Sequence, residues 1–77
     1  MPEAMLLEIE ARVQEALARS PIYALRGVQV EQMGETLQIS GRVNTYYNKQ
    51  QAQELVRSLA EGLQVINLVT VELPKPR

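Results

Sequence analysis

The sequence predicts an α+β fold in the order α-β-β-α-β, with one three-stranded sheet and two helices packed on one of its faces. Two observations lead to this prediction. Apolar residues recur at helical spacing in two segments, and they alternate with polar residues in three others. At 77 residues the chain is one domain, which we place at residues 1–73, followed by an extended C-terminal tail at 74–77.

The first element is an amphipathic helix from about Glu3 to Arg19. Its inward stripe follows the helical repeat and consists of Leu6, Ile9, Val13, Ala16 and Leu17. Ser20 ends the helix, because a residue that precedes a proline is disfavoured in the α conformation. The segment from Tyr23 to Leu25 is then predicted to be a loop.

A β-hairpin follows the loop. Its first strand spans about Gly27 to Gln32, where valines alternate with polar residues, and Gly34 supplies the turn. The second strand places four residues on the core face, namely Leu37, Ile39, Gly41 and Val43. Its other face is predicted to be exposed to solvent and consists of Thr36, Gln38, Ser40 and Arg42.

A second helix begins at a cap supplied by Asn44 or Thr45 and extends to about Glu61, where Gly62 favours a left-handed stop. Its inward stripe consists of Ala52, Leu55, Val56 and Leu59. The third strand spans 63–73. Because a helical crossover returns the chain in the same direction, this strand is predicted to run parallel to the second. Whether it lies beside the first or the second strand is left open.

This order of elements resembles that of the BON domain family, small non-catalytic modules of bacterial proteins that act at membranes or surfaces. The resemblance rests on three segments, Leu37–Val43, Gln51–Gln53 and Val65–Val71. It implies an interaction module without enzymatic activity that binds a phospholipid, a similar surface ligand or a partner protein. The alternative function is that of a self-assembling structural subunit with no small ligand.

The composition excludes most catalytic chemistry. The chain has no His, no Cys and no Asp, so it lacks the commonest general base, the soft metal ligands and the usual member of a catalytic triad that orients the base. We therefore predict no enzymatic activity, no cofactor and no metal.

The formal net charge is −1 with scattered basic residues, which argues against a nucleic-acid partner. No apolar run reaches the length of a signal peptide or membrane span, which predicts a cytoplasmic protein.

Tyr46, Tyr47 and Lys49 are the candidate ligand-binding residues, because they lie at the N-terminus of the second helix. Free N–H groups and the helix dipole attract anions there. Aromatic rings with polar tips are suited to a membrane interface or to a sugar-like ligand. The pattern predicts contact with an anionic lipid surface or a protein partner; the alternative is that both rings fold over the edge of the core.

Ile66 and Leu68 form a second candidate surface, because they place large apolar groups on the face of the third strand opposite the core. No segment remains to cover them, which predicts a homo-oligomer, most simply a symmetric dimer. Leu7 and Ala11, on the outer side of the first helix, would add a second contact to this interface. The alternative for these two positions is an ordinary solvated helix face.

Two further positions have structural interpretations. Asn67 lies in the middle of an apolar strand, so it is predicted to form a hydrogen bond, which we assign to a loop. Gly41 lies inside a strand, where glycine marks a bulge, a ligand contact or the close approach of another backbone, here that of a helix.

Overall fold

Three strands and two long helices form the structure, a computed structural model that describes the backbone of residues 3–72 and the side chains of residues 8–72. The elements along the chain are α1 (Glu3–Ala18), a 3₁₀ helix (Tyr23–Gly27), β1 (Gln29–Met33), β2 (Thr36–Val43), α2 (Tyr46–Leu59) and β3 (Gln64–Val71). This order confirms the predicted α-β-β-α-β fold. The predicted tail at 74–77 lies outside the described residues.

The sheet has the strand order β1-β2-β3, so β2 is its central strand. β1 runs antiparallel and β3 runs parallel to β2, as predicted, and the position of β3 beside β2 settles the point that the sequence left open. Met33 pairs with Thr36 across a two-residue turn. Gly34 has a φ of 62° in this turn, a conformation that glycine adopts without steric cost.

Both helices pack on one face of the sheet and enclose the core. Helices α1 and α2 and strands β2 and β3 contribute fully buried side chains to this core, among them Ile9, Val13, Leu17, Leu37, Ile39, Ala52, Val56 and Val69, and β1 contributes the buried Val30. Residues of β2 alternate between this face and the other, as the sequence predicts. Within the described part of the chain no element packs on the second face, which we call the open face.

The segment predicted to be a loop is a 3₁₀ helix. The Leu25 N–H donates to the Ile22 carbonyl, and the Val28 N–H donates to the Leu25 carbonyl. Leu25 is buried in the core, so the segment is held down by an apolar side chain. Because the 3₁₀ helix extends through Gly27, β1 begins at Gln29 and not at Gly27 as predicted.

Helix α2 and strand β3 also differ from their predicted bounds. The Thr45 hydroxyl accepts a hydrogen bond from the Asn48 N–H at 2.9 Å, which identifies Thr45 and not Asn44 as the cap. The helix ends at Leu59, because Glu61 already has a φ of 51° and Gly62 one of 89°. β3 is shorter than predicted at both ends.

Polar side chains of α1 close the outer edge of β1. Gln14 donates from Nε2 to the Val28 carbonyl at 3.1 Å and accepts from the Val30 N–H at 2.9 Å. Glu10 accepts from the Gln32 N–H at 2.8 Å. These are the hydrogen bonds that a neighbouring strand would make, so α1 replaces a fourth strand at this edge.

Replacing Gln14 with alanine is expected to lower the free energy of unfolding by about 1–3 kcal/mol, because it leaves two partly buried backbone groups of the edge without partners. Urea titration followed by circular dichroism measures the change. Gln50→Ala is the matched control, since Gln50 is an exposed helical glutamine, and it should change stability by less than about 0.5 kcal/mol. Equal stability of the two variants would mean that water satisfies this edge as well as Gln14 does.

Candidate binding site

Five elements meet at one end of the sheet. β2 and β3 end there and β1 begins there, because of their relative directions. The 3₁₀ helix directly precedes β1 and α2 directly follows β2, so both reach the same end. We call this region the tyrosine end, because the 3₁₀ helix begins at Tyr23 and the first turn of α2 contains Tyr46 and Tyr47.

Tyr46 and Tyr47 both lie in solvent. Their side chains are 72% and 66% exposed, so neither ring folds over the edge of the core. The turn that bears them is fixed by the Thr45 cap and by a hydrogen bond of 2.9 Å from Asn48 Nδ2 to Asn44 Oδ1. The two rings are therefore presented from an ordered backbone to whatever contacts this end.

Lys49 is half-buried and lies beside Tyr46 in a groove of about 330 Å³ between α2 and β3. The groove is lined by Tyr46, Lys49, Gln50, Gln53, Glu54 and Asn67. The structure thus brings together two of the three predicted ligand-binding residues. Tyr47 lies outside this groove, on the same turn of the helix.

The side chain of Asn67 connects β3 to α2 by hydrogen bonds. Its Nδ2 donates to the Lys49 carbonyl at 3.1 Å and to Gln53 Oε1 at 3.2 Å. Its Oδ1 accepts from the Val69 N–H at 3.0 Å. The prediction that Asn67 is hydrogen-bonded is correct, but the assignment to a loop is wrong. The partner is a helix because the core face of β3 lies under α2.

Tyr23, Arg26 and Arg42 belong to the same end, although the sequence pattern does not predict them as site residues. The Arg26 guanidinium lies 5.5 Å from the centroid of the Tyr23 ring, and its Nε donates to the Ser20 carbonyl at 2.9 Å. Arg42 pairs with Glu72 at 3.4 Å, and both side chains are exposed. The signal that identifies them is topological, since an antiparallel hairpin brings the start of β1 to the end of β2.

The tyrosine end carries more cations than acids. Near this end, the described charged side chains of the five elements and of the residue after β3 are Arg26, Arg42, Lys49, Glu54 and Glu72, three cations against two acids. The opposite end carries Glu35 in the hairpin turn, Glu10 beside Gln32, Arg57 in the last turn of α2, and Glu61 paired with Arg12. An approaching anionic surface is therefore attracted mainly by the tyrosine end.

The open face carries the second predicted surface. Ile66 and Leu68 are 37% and 53% exposed and pair in register with Gln38 and Ser40 of β2. Ala11 is exposed on α1, which packs on the other face of the sheet, so it does not join this patch. The side chain of Leu7 lies outside the described residues.

Neither a metal centre nor a membrane span is found in the part of the chain that the structure describes. No group of three or more acidic side chains among these residues is arranged to hold a metal ion. No helix among them is long and apolar enough to cross a membrane.

One three-stranded sheet covered on a single face by two helices, with an exposed aromatic and cationic end, defines a small α+β domain. The model of the BON domain family matches residues 7–72, which is most of the chain. The protein therefore belongs to the BON domain family, and the resemblance drawn from its sequence is confirmed. No curated protein matched the chain.

Proposed function

We propose that this protein is a non-enzymatic interaction module that binds an anionic phospholipid surface through the tyrosine end. The observation that supports this most is the exposure of Tyr46 and Tyr47 on an ordered helical turn beside Lys49. Membership of the BON domain family supports a binding role without catalysis. Because the formal net charge of the protein is −1, its total charge does not attract it to an anionic surface. Binding therefore depends on the local group of cations at the tyrosine end.

The two kinds of side chain have different tasks at such a surface. Tyrosine rings occupy the interface between headgroups and acyl chains, because the ring is apolar and its hydroxyl is polar. Arg26, Arg42 and Lys49 are attracted to phosphate groups within about one Debye length, roughly 10 Å at 0.1 M salt. Binding is therefore expected to be weak and to decrease as the salt concentration rises.

Vesicle co-sedimentation tests this function. The wild-type chain should pellet with vesicles that contain phosphatidylglycerol at low salt, and should stay in the supernatant with pure phosphatidylcholine vesicles. The double variant Tyr46→Ala with Tyr47→Ala should lose most of this binding, since both rings are removed from the contact surface. Its circular dichroism spectrum should not change, because both side chains are exposed.

A pair of charge variants separates local from general attraction. Lys49→Gln and Arg57→Gln each remove one positive charge from α2, but Arg57 lies in the last turn, about 12 Å farther along the axis. Binding should weaken in the first variant and persist in the second. Equal loss in both would mean that total charge, and not the tyrosine end, determines binding. A wild-type chain that ignores anionic vesicles at low salt would end the proposal.

Self-assembly is the second candidate function, and the exposed pair Ile66 and Leu68 on the open face favours it. Each of these side chains gains free energy when it is removed from water. Light scattering at micromolar concentration tests this function, because a monomeric mass would exclude it.

A further inference from the structure

The two edges of the sheet differ in what faces them. The edge of β1 is closed by Gln14 and Glu10. The Gln64 N–H donates to the carbonyl of Glu35, just before β2, at 3.4 Å, and the N–H of Glu72, just after β3, donates to the Val43 carbonyl at 2.8 Å. Even-numbered residues of β3 therefore point their backbone groups towards β2. By alternation, the odd-numbered residues point theirs away from the sheet.

The outer edge of β3 is almost entirely unpaired within the described part of the chain. Of its four outward N–H groups, only that of Val69 has a partner, the Asn67 side chain at 3.0 Å. The N–H groups of Val65, Asn67 and Val71 have none among the described residues. Although α2 lies beside this edge, its described side chains form no hydrogen bonds to the β3 backbone.

The sequence of β3 does not protect this edge. Natural edge strands are usually shielded by a charged residue, a proline, a bulge or very short length. Gln64–Val71 is eight residues long and contains no charged residue and no proline. An exposed, uncharged strand rich in β-branched residues promotes aggregation unless a partner pairs with it.

We propose that a second copy of this chain covers the edge, so that β3 pairs with β3 in antiparallel orientation about a two-fold axis. This proposal rests on the self-assembly candidate above and specifies its geometry. A second copy is favoured over another partner because it leaves no unpaired strand edge. In the resulting six-stranded sheet both outer edges are β1 edges, which Gln14 and Glu10 already close. The assembly therefore stops at two chains.

The strand itself specifies the register of this pairing. Outward-pointing residues must pair with outward-pointing residues. Only the register with Leu68 on the axis, facing its own copy, pairs all four outward residues of β3 with one another, Val65 with Val71 and Asn67 with Val69. Ile66 then faces Thr70 of the second copy on the open face, so the two apolar patches merge. Glu72 faces Gln64, so no like charges oppose each other. The Val69 N–H exchanges its bond to Asn67 for a carbonyl of the second copy.

Single cysteines test this geometry, because the wild-type chain has no cysteine. In Leu68→Cys the two thiols face each other across a pair with Cα atoms about 4.5 Å apart, which is within disulfide range. Mild oxidation should therefore convert this variant to a covalent dimer. Ser40→Cys is the matched control, since Ser40 is exposed and pairs with Leu68. Its two copies lie about three strand spacings apart, roughly 14 Å, and should not cross-link.

The proline variant Val71→Pro provides a second measurement. It removes an outward N–H and leaves the hydrogen bonds to β2 in place. Light scattering should give twice the chain mass of 8.7 kDa for the wild type and the single mass for this variant, with an unchanged circular dichroism spectrum. If the variant does not fold, the cysteine comparison decides.

The possible outcomes distinguish pairing through the β3 edge from packing between two open faces. Cross-linking of Leu68→Cys but not of Ser40→Cys supports pairing through β3. Equal cross-linking of both indicates packing between two open faces, which overturns edge pairing but preserves self-assembly. A dimeric Val71→Pro variant also overturns it. A monomeric wild type overturns both edge pairing and self-assembly. The β3 edge would then be available to a strand of a different protein.

Discussion

Replacing Ile39 with aspartate is expected to unfold the domain. Ile39 is fully buried on the central strand, between Val30 and Asn67 of its two neighbours. A carboxylate at this position has no cation beside it in the described core, and an unpaired buried charge costs more than about 4–5 kcal/mol. A domain of this length has about 4–12 kcal/mol of stability. Circular dichroism should show loss of the cooperative thermal transition.

The neighbouring residue provides the control for this experiment. Ser40 is exposed on the open face of the same strand, so Ser40→Asp should cost less than about 1 kcal/mol. The pair of variants therefore tests the alternation of β2 directly. A cooperative transition in Ile39→Asp together with its loss in Ser40→Asp would place the two faces of the strand the other way round.

The periodic parts of the fold were predictable because burial imposes a period on the sequence. Alternation in β2 and the helical stripe of α2 each mark the face that contacts the core, and the structure buries Leu37, Ile39 and Val56 accordingly. The position of β3 was not predictable in this way. A parallel crossover fixes its direction, but its apolar residues would be buried equally well beside either strand.

Features without a period were missed. The 3₁₀ helix is five residues long and is held by one buried side chain, Leu25, which leaves no repeating pattern. The closure of the β1 edge was missed for a different reason. Glu10 and Gln14 are typical of a solvated helix face, and their backbone partners lie 14 to 22 residues farther along the chain.

The candidate site was predictable only in part. Tyr46, Tyr47 and Lys49 were identified from their position at a helix N-terminus, which is a local signal. Arg26 and Arg42 join them through the hairpin, so their proximity depends on strand pairing and not on spacing. Binding through these residues, like dimerisation through Ile66 and Leu68, stays a prediction.

Gly41 controls how closely the 3₁₀ helix approaches β2. It has a φ of 136°, and a Cβ atom at this position would lie 3.2 Å from the Gly27 carbonyl oxygen and 3.3 Å from the Val28 Cα. A backbone does approach Gly41 closely, as expected, but it is that of Gly27 and Val28, between the 3₁₀ helix and β1, and not that of α1 or α2. Both contacts are with backbone atoms, so a larger side chain can be accommodated only if the 3₁₀ helix moves.

Replacing Gly41 with alanine is expected to lower the free energy of unfolding by about 2–4 kcal/mol, which combines backbone strain with overpacking. Gly27→Ala is the matched control, because a Cβ atom at Gly27 meets nothing within 4 Å. That variant should be as stable as the wild type or up to about 1 kcal/mol more stable. Urea titration measures both changes, and equal stability of the two variants would contradict the close approach. Since the 3₁₀ helix bears Tyr23 and Arg26, its displacement in Gly41→Ala should also weaken binding to anionic vesicles, whereas Gly27→Ala should bind them like the wild type.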